Sequence, residues 1–209
     1  MDYLQKTADK LVSERLFAGV EWRVDQSGKN IFAGRSGFQD FATKSEIPEN
    51  AFYRVYSMTK PIISVLALKL IEEGYLQLTS TLAEFDNRFS NMIVLNSDGH
   101  VAPADGLITV EHLLTHRAGF SYDFNIGCAT APYYRQAELL ENGYRDLGDI
   151  ISILSELPLV FNPGSHWRYS VATDVLAYLL ETVTQKTITE LLRKYILSPL
   201  EMTDTNFTI

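Results

Sequence analysis

The stretch SMTKPIISVLALKL at residues 57–70 decides the fold, because it holds the most apolar run of the sequence and opens with a polar tetrad. Its apolar residues recur at helical spacing on two adjacent faces, formed by Ile62, Leu66 and Leu70 and by Ile63, Ala67 and Ile71. A helix that is apolar over so wide an arc is typical of one buried on most sides. The run is far shorter than the roughly 20 residues that span a bilayer, so it predicts a core helix.

The tetrad at the start of this helix is an S-x-x-K pattern, with Ser57 and Lys60 three residues apart. If Ser57 opens the helix, this spacing brings Lys60 onto the same face, with its amine beside the serine hydroxyl. Desolvation lowers the pKa of a lysine, so a buried Lys60 is predicted to accept the serine proton and to make Ser57 a nucleophile. Alone, the tetrad equally describes a helix cap followed by a surface lysine.

The residues before the tetrad predict a helix and a β-hairpin. Apolar residues at helical spacing cover 3–16, and alternation from Val20 to Val24 indicates a half-buried strand. A turn at 26–29 leads into a second strand over 30–38. The remaining chain is mostly helical, with predicted helices over 109–115, 147–157, 171–183 and 187–197.

These elements predict an α/β fold of the α+β type, with one hairpin among many helices. A lone two-stranded hairpin is marginally stable, so we expect it to belong to an incomplete antiparallel sheet that lacks its later strands. An unpaired strand edge tends to recruit another chain, which makes a homo-oligomer formed through that edge a further expectation.

Composition describes an ordinary globular chain. Of the 209 residues, 46% are hydrophobic and 21% are charged, which argues against disorder and against a coiled coil. The net charge of −8 arises from scattered acidic residues without a basic stripe, so neither a nucleic-acid partner nor a membrane surface is expected. The N-terminus shows no signal-peptide pattern, and the one cysteine, Cys128, cannot form an internal disulfide. Both features favour a cytoplasmic location.

Two further blocks follow the tetrad in order: HLLTHRAGF at 112–120 and PGSHWRYSVATDVLAYLLE at 163–181. Together with SMTK at 57–60 they resemble the serine β-lactamase and penicillin-binding-protein superfamily, on the side of class C β-lactamases and family VIII carboxylesterases. The segment PLEMTDTNF at 199–207 is similar to the link between that family's helical region and its later strands.

The resemblance implies one β-lactamase-like domain over residues 1–209, incomplete at its C-terminus. In it, a helix-and-hairpin part at 1–50 packs on a mainly helical part at 51–200 that carries the site. The implied activity is that of a serine hydrolase that forms an acyl-enzyme with a small ester or amide substrate and needs neither a metal nor an organic cofactor.

The same resemblance assigns roles to three residues. Ser57 matches the acylated nucleophile, Lys60 the lysine that activates it, and Tyr169 the tyrosine that carries protons to and from the leaving group. This agrees with the chemistry, because a hydroxyl nucleophile needs an adjacent base and acyl transfer needs a second proton carrier. The candidate substrate-binding residues are Tyr122, His166 and Val171. For Tyr122 and His166, simple packing of their loops is the alternative.

Two departures from the family pattern bear on the substrate. Val171 stands where β-lactamases and peptidases of the family have an asparagine that binds the substrate amide, and valine cannot form that hydrogen bond. The family's later Lys/His-x-Gly motif, whose strand supplies one oxyanion donor, is missing. These departures favour small esters over the alternatives, β-lactams and D-alanyl peptides. They also leave open a non-catalytic scaffold that binds an acyl-like ligand or a partner.

One histidine pair has metal-ligand spacing. His112 and His116 are four residues apart on a predicted helix, but the glutamate of an H-E-x-x-H site is missing between them. The resemblance makes this stretch structural, so no metal site is expected.

Overall fold

The first of two units holds one helix and one hairpin. The computed structural model describes residues 2–96, 98–125, 127–139 and 146–207, and its contacts divide the chain between Arg54 and Val55. The first unit contains α1 (Asp2–Ser13), β1 (Gly19–Gln26) and β2 (Lys29–Gly37). The predicted helix and hairpin are therefore confirmed, whereas the assignment of the whole chain to one domain stays a prediction.

The hairpin is a regular antiparallel pair. Gly19 lies opposite Gly37, and the register shifts once, between Val24 and Asp25. Within the described residues β1 and β2 pair only with each other, and Ile31 on β2 is 42% exposed. Self-association through a free edge of this hairpin stays a prediction.

The second unit is mainly helical, as predicted. In chain order its helices and strands are α2 (Thr59–Glu72), α3 (Leu82–Phe85), β3 (Ile93–Leu95), β4 (Val101–Pro103), α4 (Val110–Leu114), α5 (Ala131–Gln136), α6 (Leu147–Leu154), α7 (Ala172–Thr184) and α8 (Ile188–Leu192). Within its described residues it also contains two 3₁₀ turns, Tyr56–Met58 and Asn87–Phe89, and a π-helical turn, Arg193–Leu197. None of the described helices is long and apolar enough to cross a membrane.

Helix starts were predicted better than helix ends. Thr109 and Thr187 cap α4 and α8 as expected, each in a capping box that satisfies two backbone donors. Helix α6 ends at Leu154, three residues before the predicted end, because the chain already turns away ahead of Pro158. The last predicted helix divides into α8 and the π-helical turn that follows it.

Helices α2 and α7 pack against each other in the core of the second unit. Helix α2 buries Ile63, Leu66, Ala67 and Leu70, and Ile62 and Ile71 are partly buried against the core, so both predicted faces are covered. Val65 and Leu68 lie outside these faces and are 52% and 47% exposed, which leaves one side of the helix open. The fully buried side of α7 faces this core and includes Val175, Leu179 and Leu180.

A second, very short hairpin was not predicted. Strands β3 and β4 pair antiparallel over three residues each, and Val94 also bridges to Leu159 in parallel. Leu159 N–H donates to Ile93 O at 2.8 Å, and Leu95 N–H donates to Leu159 O at 2.9 Å. Three residues are too few for a period-2 pattern to emerge in the sequence, so this pairing depends on contacts distant along the chain.

Backbone hydrogen bonds join the two sequence blocks that follow the tetrad. Val160 N–H donates to Gly119 O at 2.8 Å, and Gly164 N–H donates to Arg117 O at 2.8 Å. Arg168 N–H donates to His116 O at 2.9 Å. The segment after α4 therefore runs beside the segment before α7, which brings the two blocks to one region of the unit.

We expect Gly119→Ala to destabilise this junction by about 1–3 kcal/mol, and more than the same change at Gly74, because a Cβ here is strained in a left-handed backbone and also meets a backbone oxygen. Gly119 has a φ of +92°, and a Cβ there would lie 2.5 Å from Phe161 O. Gly74 is the matched control, since its φ is +79° but nothing lies within 4 Å of a Cβ. Urea unfolding followed by circular dichroism measures both variants, and an equal loss of stability would contradict the predicted steric contact.

Candidate active site

Ser57 lies in the 3₁₀ turn that leads directly into α2, and its side chain is exposed. Tyr56 before it has a φ of +43°, in the left-handed region that non-glycine residues seldom adopt. Lys60 is the second residue of α2, and its Nζ donates a hydrogen bond to Ser57 Oγ at 3.4 Å. The spacing argument is confirmed in its geometry, with the serine in the turn rather than in the α-helix itself.

Tyr169 reaches the same serine from the loop that precedes α7. Its Oη donates a hydrogen bond to Ser57 Oγ at 2.6 Å, across 112 residues of sequence. The backbone carbonyl of Tyr169 in turn accepts a hydrogen bond from Asn125 Nδ2 at 3.2 Å. The structure therefore brings together the three residues proposed from the sequence as catalytic, and the shorter of the two contacts to the serine comes from the tyrosine.

Lys60 and Tyr169 shift each other's protonation. The hydrogen bond with Lys60 is the largest influence on the Tyr169 phenol, followed by that with Ser57, and together they lower its pKa. Burial is the largest influence on Lys60 and acts to lower its pKa. Hydrogen bonds and charge interactions with Tyr169 and Tyr122 outweigh burial, and the pKa of Lys60 lies above its ordinary value. Desolvation therefore acts as expected, but the expectation of a lowered pKa for this lysine was wrong.

Two more titratable side chains lie within electrostatic range of this group. Burial raises the pKa of Tyr122, whose ring centre lies 5.5 Å from that of Tyr169 and 5.8 Å from Lys60 Nζ. Burial also raises the pKa of Asp174 in the first turn of α7, while the charge of Lys60 acts in the opposite direction. Lys60 is therefore the cation around which the tyrosines and this carboxyl are arranged.

His116 is a site neighbour that the sequence argument treated as structural. Its ring lies 5.0 Å from that of Tyr169, and its Nδ1 lies 3.4 Å from Ser170 Oγ. Burial and then the charge of Lys60 lower its pKa, which favours the neutral imidazole at neutral pH. The sequence feature that could have indicated this neighbour is the HLLTHRAGF block. That block holds two histidines, however, and does not indicate which of them faces Tyr169.

The two histidines have different partners. His112 Nδ1 accepts a hydrogen bond from Thr109 N–H at 3.2 Å and so completes the capping box of α4. His116 instead contacts Tyr169 and Trp167, at ring separations of 5.0 and 6.4 Å. Their four-residue spacing therefore does not direct both rings at one point.

The three predicted substrate-binding residues lie in different surroundings. Tyr122 is next to Lys60 and Tyr169, as described above. His166 is exposed, stacks against Phe161 at 5.5 Å and has its Nδ1 3.0 Å from Ser165 Oγ. Val171 is 0% exposed and packs in the apolar core. Its side chain therefore lies in the core and not at the surface, and a valine in place of the family's asparagine fills the core there.

An aromatic row flanks Ser57 and Lys60. Adjacent ring centres along it are 4.7 to 6.4 Å apart, and its members in order are Trp167, His116, Tyr169, Tyr122 and Phe124. The two ends, Trp167 and Phe124, are both exposed. The row offers an apolar and polarisable surface beside the serine, of the kind that favours uncharged organic groups.

Comparison with known proteins identifies the class to which this fold and site belong. The family model described as Beta-lactamase matches residues 4–209, so the chain belongs to the β-lactamase family. The resemblance stated from the three sequence blocks is thereby confirmed, and so is the fold class.

Several relatives of the chain are named as esterases or acyltransferases. The chain is 29% identical to esterase EstB of Burkholderia gladioli over 206 residues, 98% of this chain and 50% of that protein. It superposes on EstCE1, a hydrolase with promiscuous acyltransferase activity, with a TM-score of 0.74 and 28% identity. This match covers 95% of this chain and 50% of that protein. The chain also superposes on unliganded simvastatin synthase (LovD) of Aspergillus terreus, with a TM-score of 0.73 and 29% identity. This match covers 99% of this chain and 54% of that protein. The chain thus spans about half the length of the curated relatives it matches.

Proposed function

We propose that this chain carries the acyl-transfer centre of a serine hydrolase that acts on small esters through an acyl-enzyme. The observation that carries the proposal is the pair of hydrogen bonds on Ser57 Oγ, 2.6 Å from Tyr169 Oη and 3.4 Å from Lys60 Nζ. A serine hydroxyl is a weak nucleophile until a neighbouring group can take its proton. Here the exposed serine has Tyr169 as such a neighbour, with a lowered pKa, and Lys60, with a raised pKa, as a charged second partner.

In the proposed reaction Tyr169 is the proton carrier. Its lowered pKa increases the phenolate fraction, and the phenolate accepts the Ser57 proton across the short contact as the serine oxygen attacks the ester carbonyl. Tyr169 then gives this proton to the departing alkoxide. Lys60 stays charged throughout, stabilises the phenolate and donates to Ser57 Oγ. Water or another alcohol afterwards attacks the acyl-enzyme by the same path.

The ester preference is supported by Val171 and by the relatives. A substrate amide finds no side-chain partner at position 171, because that valine is buried in the core. The matched relatives include proteins named esterases, and the hydrolase EstCE1 is described as having promiscuous acyltransferase activity. Transfer of the acyl group to an alcohol is therefore the second candidate function. β-Lactam or D-alanyl amide hydrolysis and a non-catalytic scaffold rank below both.

We expect the purified chain to form a covalent adduct with a fluorophosphonate probe at Ser57 and to release p-nitrophenol from p-nitrophenyl acetate only weakly. Ser57→Ala is the control for both measurements, by intact-mass spectrometry and by absorbance. A chromogenic cephalosporin and a D-alanyl peptide test the two amide alternatives under the same conditions. Adduct formation that persists in Ser57→Ala would contradict the proposed nucleophile, and faster turnover of either amide substrate would contradict the ester preference.

A further inference from the structure

The backbone at His116 favours a residue other than histidine. Helix α4 ends with Arg117 N–H donating to His112 O at 2.8 Å. His116 N–H donates to Leu113 O at 3.4 Å, and His116 is the left-handed residue of this helix end, with a φ of +55°. Glycine is the usual residue at such a place, because it has no Cβ to strain a left-handed backbone. The helix end alone would favour glycine, so the reason for a histidine lies in what its ring contacts.

His116 contacts each of the four consecutive residues 167–170. Its ring lies 5.0 Å from the Tyr169 ring, at an angle of 44°, and 6.4 Å from the Trp167 ring. Its backbone carbonyl accepts a hydrogen bond from Arg168 N–H at 2.9 Å. Its Nδ1 lies 3.4 Å from Ser170 Oγ. One residue at the end of α4 therefore holds the chain on both sides of Tyr169.

We propose that His116 is a positioning residue, whose ring holds the Tyr169 phenol against Ser57. Ser170 Oγ accepts a hydrogen bond from Ala172 N–H at 3.3 Å, which leaves its own proton to donate to His116 Nδ1. This bond fixes the plane of the imidazole, and the face of the imidazole limits how far the phenol ring can tilt. The catalytic consequence rests on the proposed function, whereas the positioning itself does not.

A neutral ring suits this place. Burial and then the charge of Lys60 lower the pKa of His116, so the imidazole is neutral at neutral pH. A neutral imidazole can keep Nδ1 as an acceptor while Nε2 carries the proton. It fills the space beside Tyr169 without adding a second positive charge close to Lys60.

The phenol pKa reports the position of Tyr169 without dependence on catalysis. Hydrogen bonds with Lys60 and then with Ser57 are the largest influences that lower the pKa of Tyr169. Both depend on where the phenol oxygen lies, and the contact with Ser57 Oγ is only 2.6 Å long. A phenol that tilts away loses these partners, and its pKa rises towards the ordinary value.

The positioning is tested by the titration of Tyr169 in His116→Asn. Asparagine is accepted in a left-handed backbone at a helix end, so this change removes the ring and keeps the end of α4. Gln185→Asn is the matched control, because Gln185 is exposed and has a φ of +56° at the end of α7. Tyrosine labelled with ¹³C at Cζ reports the phenol pKa by nuclear magnetic resonance, and the Tyr169 signal is the one missing from Tyr169→Phe.

We expect the Tyr169 phenol to titrate at higher pH in His116→Asn than in the native chain, and at its native pH in Gln185→Asn. His116 is neutral where a phenol titrates, so the loss of its charge cannot cause this rise. The other titratable neighbours are the same in both variants, and they are Lys60, Tyr122 and Asp174. An unchanged titration in His116→Asn, or an equal rise in Gln185→Asn, would overturn the proposal.

A second variant covers the case in which His116→Asn does not fold, as judged by urea unfolding. Ser170→Ala keeps the imidazole and removes the hydroxyl that lies 3.4 Å from its Nδ1. We expect a smaller rise of the Tyr169 pKa in this variant, because the ring remains but is no longer fixed in its plane. No rise in Ser170→Ala would then count against the positioning role.

The catalytic consequence is tested by the rate of fluorophosphonate labelling at Ser57. We expect His116→Asn to slow labelling by about 10- to 100-fold at neutral pH, as for a misplaced reacting group, and Gln185→Asn to keep the native rate. Part of the loss should recover in alkaline solution, where the phenolate forms again, and an equal loss at every pH would contradict positioning through Tyr169. If Ser57 is never labelled in the native chain, the proposed function fails, and the Tyr169 titration still decides whether His116 positions the phenol.

Discussion

Tyr169→Phe is expected to slow the acylation of Ser57 by about 100- to 10,000-fold, the range typical of a lost general acid–base group. The variant keeps the ring that packs against Tyr122 and His116 and removes only the hydroxyl that lies 2.6 Å from Ser57 Oγ. No other described side chain except Lys60 forms a hydrogen bond with this serine oxygen. The rate of fluorophosphonate labelling measures the effect directly, without dependence on turnover.

A structural control separates chemistry from folding in this experiment. Tyr178→Phe also removes a tyrosine hydroxyl from the second unit, one that donates to Asp86 Oδ2 at 3.1 Å, away from Ser57. We expect Tyr178→Phe to lose some stability and to keep its labelling rate, and Tyr169→Phe to do the reverse. Equal labelling of Tyr169→Phe and the native chain would show that the phenol does not carry the serine proton.

The geometry of the candidate site was predictable because it depends on local rules and on a resemblance in three ordered blocks. The i, i+3 spacing alone brings Lys60 back to Ser57 across the 3₁₀ turn and the first turn of α2. No local rule connects Tyr169 to Ser57, and here the resemblance supplied the contact. The structure adds the physical link, which is the packing of α2, just after Ser57, against α7, just after Tyr169.

The features that were missed depend on long-range packing. Val171 is the residue that caps the start of α7, and its side chain is buried where this helix packs into the core. The role of His116 as a neighbour of Tyr169 follows from the backbone hydrogen bonds that join 116–119 to 160–168. Hairpin β3–β4 is three residues long on each side, so its pattern in the sequence is too short to detect. In each case the residue type is compatible with several environments, and only the tertiary contacts select one.

The pKa of Lys60 shows why burial alone was a poor guide. Burial acts on the ammonium in the expected direction, but the neighbouring phenols favour the charged form and outweigh it. A lysine with a raised pKa is a poor proton acceptor at neutral pH. The role that our proposal leaves to Lys60 is to keep the pKa of the Tyr169 phenol low. This assignment differs from the one made from the sequence, where the lysine itself takes the serine proton.

Lys60→Met distinguishes the two assignments, because it keeps an unbranched side chain of similar shape, one atom shorter, and removes the charge. The active form in our proposal is the Tyr169 phenolate, and Lys60 lowers the pKa of that phenol in the native chain. Without Lys60 the phenol pKa returns towards its ordinary value of about 10. The rising limb of labelling rate against pH therefore moves to higher pH, with a large loss at neutral pH that recovers in alkaline solution.

The pH profile of a double variant tests whether Tyr169 is the group that titrates. Tyr169→Phe combined with Lys60→Met should show no alkaline recovery, because the group that titrates is gone. The other titratable neighbours do not account for such a recovery. His116 has a lowered pKa and is neutral above it, and burial raises the pKa of Tyr122 and of Asp174. If Lys60→Met instead loses labelling equally at every pH, Lys60 is itself the base, and the phenol only positions the serine.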